Sequence, residues 1–272
     1  MGDEAEAPFS FHQGEVPLLV SLPHAGAEIP PDILQQMTPA AVSSADTDWH
    51  VEKLYAFAKE MGASVLQARY SRYVIDLNRA PDSRPLYPGA NNTELCPTST
   101  FALEPLYPPG NTPDAAEILR RRRLYWEPYH RCLADELKRM HQLYGPVVLW
   151  EGHSIRSQVP RFFEGKLPDL NFGTADGASA NPRLLAAVLA EAERVGGFTA
   201  VANARFKGGY ITRSYGQADQ GIQALQLELA QSAYMDEDPP FPYSPERAAP
   251  MIALLKALLE ETLAWISRPR GD

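Results

Sequence analysis

The stretch Val16-Pro17-Leu18-Leu19-Val20-Ser21-Leu22-Pro23-His24-Ala25-Gly26 is a short apolar run, stopped by Pro23 and followed by a turn containing glycine. That pattern predicts a buried strand ending in a tight turn. Asp48 to Met61 comes next, with apolar residues at Val51, Leu54, Tyr55 and Phe57 and a closing Gly62, the pattern of an amphipathic helix. Ser64 to Ala68 and Tyr73 to Leu77 read as two further strands, so a β-α-β rhythm is set within the first eighty residues.

The rhythm continues down the chain. A long helix is expected from Pro113 to Tyr144, ended by Gly145-Pro146, and it leads into the buried strand Val147 to Trp150. Asn181-Pro182 supplies an N-cap and a first-turn proline to a helix reaching Arg194. Strands near Thr199 to Asn203 and Ile222 to Glu228, a strand leading into Arg213, and a last helix from Pro245 to Ile266 complete the series. Strands alternating with helices predict a three-layer α/β/α sandwich. With no internal repeat or linker, residues 1–272 read as one domain. Two loop-rich stretches, 81–113 with its Tyr87-Pro88-Gly89 and Tyr107-Pro108-Pro109-Gly110, and 154–181, are expected to wall the active site.

Composition sets the outer limits. An apolar fraction of 44% and a charged fraction of 22% belong to an ordinary globular protein. No apolar run reaches the roughly 20 residues a membrane span needs, and Asp3, Glu4 and Glu6 give the N-terminus the wrong charge for a signal peptide, so a cytoplasmic protein without membrane association is expected. A net charge of −9 opposes nucleic-acid binding. Arg120 to Arg123 lie in a helix that also carries Glu127, Asp135 and Glu136, the pattern of a salt-bridged surface. Cys96 and Cys132 form no CxxC, so neither a disulfide framework nor a thiolate metal site is indicated. No exposed heptad identifies a subunit interface.

In an open α/β sheet ligands bind beyond the carboxyl ends of the strands. Two such ends deliver histidines among small residues: His24 in Pro23-His24-Ala25-Gly26, and His153 in Glu151-Gly152-His153-Ser154. Two imidazoles and a carboxylate with water in the fourth position suit zinc, although such ligands also accept manganese, iron or cobalt. The carboxylate comes from Asp46-Thr47-Asp48-Trp49-His50, where either aspartate could ligate or cap the helix and His50 could ligate or support a ligand.

The set PHAG at 23–26, DTDWHVEKLY at 46–55, VIDLNR at 74–79, EGHSIRS at 151–157, ITRSYG at 211–216 and LQLEL at 225–229 resembles the N-formylglutamate amidohydrolase (deformylase) family from about residue 16 to the final helix. At greater distance the family is similar to zinc carboxypeptidases and aspartoacylase-like deacylases. That resemblance implies a mixed sheet in the α/β/α sandwich, one zinc ion, and a late step of histidine degradation. This chain has Ala27 three residues after His24, not the glutamate of the carboxypeptidase HxxE motif, so Asp48, with Asp46 as second choice, is the expected carboxylate ligand.

Hydrolysis of a formamide needs a base for the water, and Glu228 between Leu227 and Leu229 is the candidate, because an idle carboxylate there would be costly. A substrate with two carboxylates calls for guanidinium forks, for which Arg79, Arg156 and Arg213 are candidates, with Asn78 and Tyr215 as helpers. A small anionic molecule is therefore the expected partner. Competing readings are a related deacylase or peptidase with another acyl group, and a binding protein of the same fold that has lost its metal. A serine-hydrolase reading fails for want of GxSxG, and nucleotide chemistry for want of GxGxxG or GxxxxGK[ST].

Overall fold

The computed structural model describes residues 7–86, 89 and 91–268; Asp3, Glu4, Glu6 and the Tyr87-Pro88 pair fall outside them. Strands β1 (Phe9–His12), β2 (Leu18–Leu22), β3 (Ser64–Ala68), β4 (Val147–Ile155), β5 (Leu170–Gly173), β6 (Ala200–Ala202) and β7 (Ile222–Ala230) form one sheet, ordered β1-β3-β2-β4-β7-β5-β6. The central β3, β2, β4 and β7 run parallel; β1 and β5 pair antiparallel with β3 and β7. The helices are α1 (Pro31–Leu34), α2 (Val51–Leu54), α3 (Ala115–Arg121), α4 (Glu127–Tyr144), α5 (Pro182–Val195), α6 (Tyr210–Tyr215) and α7 (Pro245–Ser267).

Successive strand residues point to opposite faces, and both faces are covered. Leu18, Val20, Val148, Trp150, Leu225 and Leu227 pack with Leu54 of α2, Val188 of α5 and Leu255 and Leu258 of α7. Leu19, Val147, Leu149 and Ala224 pack on the other side with Leu133, Leu137 and Met140 of α4. This is why β2, β4 and β7 read as nearly unbroken apolar runs: parallel strands buried on both faces have no polar side to show. The result is an α/β/α sandwich around a mixed sheet.

Five expectations need correction. Asp48 to Met61 is not one helix but a single turn, α2, followed by a 3-10 turn at Ala56–Ala58. Asp48 N–H is held by His24 O at 3.0 Å, and the chain passes through a left-handed residue at His50 (φ 64°) before helix can begin. Tyr73 to Leu77 forms no strand. It is a buried loop whose apolar side chains join the α4-side core. Two of its carbonyls are bonded by side chains of the long helix, Val74 O by Arg121 (3.1 Å) and Leu77 O by His130 Nε2 (2.8 Å), and Trp126 donates to Arg79 O just beyond it (3.1 Å). Buried peptide groups must find partners, and here they do so without a sheet. Ile211 to Tyr215, expected to lead Arg213 out of a strand, is helix α6. The stretch 154–181 contains strand β5, and the short β1 precedes the first strand expected.

The long helix persists from Ala115 to Tyr144 with a π-helical turn at Arg122–Trp126. Pro128 lies two residues after the end of that turn. It has no N–H to donate and its ring crowds the preceding turn, so that turn widens. The basic run within it is largely spent on ion pairs, Arg120 with Glu117 (2.7 Å) and Asp32 (3.0 Å), Arg121 with Glu117 (2.7 Å) and Arg122 with Glu127 (2.9 Å). Among the described residues no helix is long and apolar enough to cross a membrane.

Candidate active site

Along the α4 side of β4 the inward row runs Val147, Leu149, Glu151, His153, and along β7 it runs Ala224, Gln226, Glu228. Both rows turn from apolar to polar toward the carboxyl ends of the strands, and both polar ends are buried. His153 and Glu228 are register partners on these neighbouring strands. His24 follows β2, and Asp48 is brought to it by the backbone bond between the two residues. His24, Asp48 and His153 can each offer one ligand atom, a ring nitrogen or a carboxylate oxygen, and these atoms lie within 4.8 Å of one another, with all three residues buried.

Each histidine is oriented from behind. His24 Nε2 lies 2.7 Å from Asp76 Oδ1, which turns Nδ1 toward Asp48 Oδ2 at 3.8 Å. Asp76 in turn accepts from Arg72 (2.6 Å) and from the Asn78 N–H (2.9 Å). His153 Nδ1 lies 2.9 Å from Asp48 Oδ2, and its Nε2 faces Asn78 Nδ2 at 3.1 Å and Glu151 Oε2 at 3.8 Å. Asn78 is fixed by the α6 entrance, where Ile211 N–H donates to its Oδ1 (2.9 Å). Gly209 is required there: a Cβ would stand 2.3 Å from Asn78 Nδ2. Glu151 accepts from Ser21 (3.1 Å) and Thr212 (3.3 Å).

Charge in this cluster is unevenly shared. Burial, with Arg72 assisting, keeps His24 below the usual imidazole range. Burial acts the same way on His153, but its hydrogen bond to Asp48 and the nearby Glu151 carboxylate outweigh it and hold the ring well above that range. Burial would raise Asp76, yet the charge of Arg72 and then of His24 holds it well below the carboxylate range. Glu228 is pushed up to about 7, chiefly by burial, with Asp48 adding and His153 opposing.

Above the cluster is a cavity lined by His24, Asp48, His153 and Glu228 together with Arg72, Asn78, Arg79, Gln226 and Arg205. Leu86, Asn91, Asn92 and Phe101 from one loop-rich stretch, and Ile155 and Phe162 at the start of the other, supply its walls.

Of the residues singled out in the sequence, the cavity gathers His24, Asp48, Asn78, Arg79, His153 and Glu228. Asp46 is buried nearby, but its carboxylate accepts the Phe101 N–H (2.8 Å) and lies outside the three-ligand group. His50 faces away, with Nε2 2.8 Å from Phe241 O. Three substrate-binding candidates are not among the cavity-lining residues. Arg156 pairs with the exposed Asp238 (3.1 Å), Arg213 is exposed on α6 with its Nε on Gly208 O (3.0 Å), and the Tyr215 hydroxyl lies 2.9 Å from His130 Nδ1. Sequence reasoning passed over Arg72, Asp76, Glu151, Gln226 and Arg205. Glu151 and Gln226 carried a signal, because each stands two residues before a candidate on the same strand and so shares its face.

Fold and site together define an α/β protein with a buried His-Asp-His group, of the kind that holds a divalent metal in hydrolases, at the carboxyl ends of parallel strands. Comparison with known proteins narrows that class. Residues 16–235 match the N-formylglutamate amidohydrolase family. An N-formylglutamate deformylase of Pseudomonas aeruginosa is 49% identical over 256 residues, covering 94% of this chain and 96% of that protein. One from Pseudomonas putida is 49% identical over 259 residues, with the same coverage. The crystal structure of N-formylglutamate amidohydrolase from Ralstonia eutropha superimposes with a TM-score of 0.79 at 26% identity, covering 96% of this chain and 97% of that one. This chain belongs to the N-formylglutamate amidohydrolase family.

Proposed function

We propose that this protein hydrolyses N-formyl-L-glutamate to formate and L-glutamate, a late step of histidine degradation, using one zinc ion held by His24, Asp48 and His153. The observation that carries the reading is the convergence of those three ligands with the Glu228 carboxylate in one cavity, in a chain 49% identical to curated deformylases.

The donor set fits the ion. Two imidazoles and one carboxylate are a zinc ligand set that leaves a position open, and the buried carboxyl groups of Asp48, Glu151 and Glu228 around His153 favour a cation. Asp76 acts behind His24, setting its ring orientation, and the Glu151 carboxylate faces His153 Nε2 at 3.8 Å. A zinc ion bound there supplies Lewis acidity toward the formyl oxygen and brings the pKa of a bound water toward about 7.

The remaining chemistry falls to the chain itself. Glu228 accepts the proton of the attacking water as the new C–O bond forms, and returns it to the glutamate nitrogen as the C–N bond breaks. Burial raises its pKa above the ordinary carboxylate value, which favours uptake of a proton. Arg79, anchored by Thr93 Oγ1 (2.9 Å) and Asn78 O (3.0 Å), offers a guanidinium to one substrate carboxylate from the cavity wall. Arg156, Arg213 and Tyr215, away from the cavity, have no direct part in this scheme.

Formate release from N-formyl-L-glutamate, N-acetyl-L-glutamate and N-formyl-L-aspartate tests the assignment. Selective turnover of the first is expected; equal or better turnover of either other compound would move the protein to a related deacylase.

A further inference from the structure

Arg205 was not marked by any sequence motif, yet it lines the cavity together with its neighbour Phe206. Its segment follows β6, which lies three places along the sheet from β4, the strand of His153. Arg79, beside Asn78, lines the same cavity. The segment is tied down at several points: Asn203 N–H donates to Phe172 O (2.7 Å), Lys207 O accepts from Ala175 N–H (2.6 Å), and Gly209 N–H donates to Gln226 Oε1 (2.8 Å). Arg205 itself donates through Nε to Phe162 O (2.7 Å), and its guanidinium carbon lies 5.5 Å and 6.0 Å from the ring centres of Phe206 and Phe162. A guanidinium held this way by a carbonyl and two rings is orientated before any ligand arrives.

Of the other arginines that line the cavity, Arg72 is buried and pairs with Asp76 at 2.6 Å. Among the described lining residues the carboxylates are Asp48 and Glu228, both beside His153, so the Arg205 wall is cationic in character. We propose that Arg205 reads the distal carboxylate of the substrate and makes the cavity selective for N-acyl amino acids with an acidic side chain. The inference rests on the proposed amide hydrolysis and adds to it the residue that sets side-chain selectivity.

N-formyl-L-glutamine, the neutral near-isostere of N-formyl-L-glutamate, is the probe. For the wild-type enzyme kcat/KM is expected to favour the glutamate compound on the order of 100-fold, the scale of losing one buried charged pair. In Arg205→Gln that preference should collapse to within a few-fold, chiefly through KM for N-formyl-L-glutamate, while turnover of the glutamine compound changes little. Arg205→Lys keeps the charge but not the fork, and should retain an intermediate preference. If Arg205→Gln does not fold, the Arg205→Lys ratio decides, and a wild-type ratio there overturns the inference. It is equally overturned if Arg205→Gln keeps the wild-type ratio or loses both substrates in equal measure. Wild-type protein inactive on both compounds would instead overturn the proposed hydrolysis, and this inference with it.

Discussion

Asp76 holds three groups at once, the His24 ring, the Arg72 guanidinium and the Asn78 N–H. Replacing it by alanine is expected to weaken zinc binding about 10- to 100-fold, the usual cost of losing a group that orients a ligand histidine; competition with a chromogenic chelator measures this. Glu228→Gln should behave differently. It leaves the three ligands in place, so zinc content stays at the wild-type level while kcat falls on the order of 1,000-fold, within the range for loss of a general base. Unchanged kcat with normal metal content would remove Glu228 from the mechanism. At this scale the sequence was informative wherever a strand fixed the direction of a side chain. His153 and Glu228 stand on strands buried on both faces, and a polar residue there needs a reason. Arg72 and Arg205 stand on loops whose course is set by tertiary contacts, and no local pattern points them at the cavity.

The loop from Arg72 to Arg79 depends on a neighbouring helix for its shape. His130 of α4 lies with Nε2 against Leu77 O, stacks on Trp126 at 3.6 Å between ring centres, and is pushed down to about 4 by burial. Its folded pKa is below the unfolded value of 6.5, so the unfolded chain takes up a proton that the folded chain refuses. The stabilisation is fully present above about pH 6.5 and is lost as pH falls toward 4, by about 3 kcal/mol in total. Denaturant titrations from pH 7 to 4 should show that slope in the wild type and a flatter one in His130→Gln; parallel profiles would contradict it. At the entrance of α6, Gly209→Ala would drive a methyl group into Asn78, with an expected loss of about 1–3 kcal/mol of stability, read from the same titrations. The elements that were hardest to read share a cause. Tyr73 to Leu77 carries the apolar composition of a strand because it is buried, but its Val74 and Leu77 carbonyls are met by side chains far away in sequence. Strand β5, four residues long, is too short to show a period.

Across the whole molecule, both apolar clusters are built on the same strands, β2, β4 and β7, so neither face of the sheet can unfold and leave the other intact. The described residues are therefore proposed to form one cooperative unit. Calorimetry should give one transition, shifted upward by zinc because the ion binds the folded site, whereas two resolved transitions would argue for separable domains. This scale was the most legible in the sequence, since a doubly covered parallel sheet imposes its apolar runs directly on the chain. The net charge of −9 gave no hint of a cavity lined by Arg72, Arg79 and Arg205, because a local field in a cleft is independent of the total. The most direct test of the account is to quantify metal in the purified protein and follow formate release from N-formyl-L-glutamate before chelation, after it, and after zinc is restored. About one ion per chain, activity lost with the metal and recovered with zinc, is the result expected from a single three-ligand site. Full turnover in metal-depleted protein, or none in zinc-loaded protein, would contradict it.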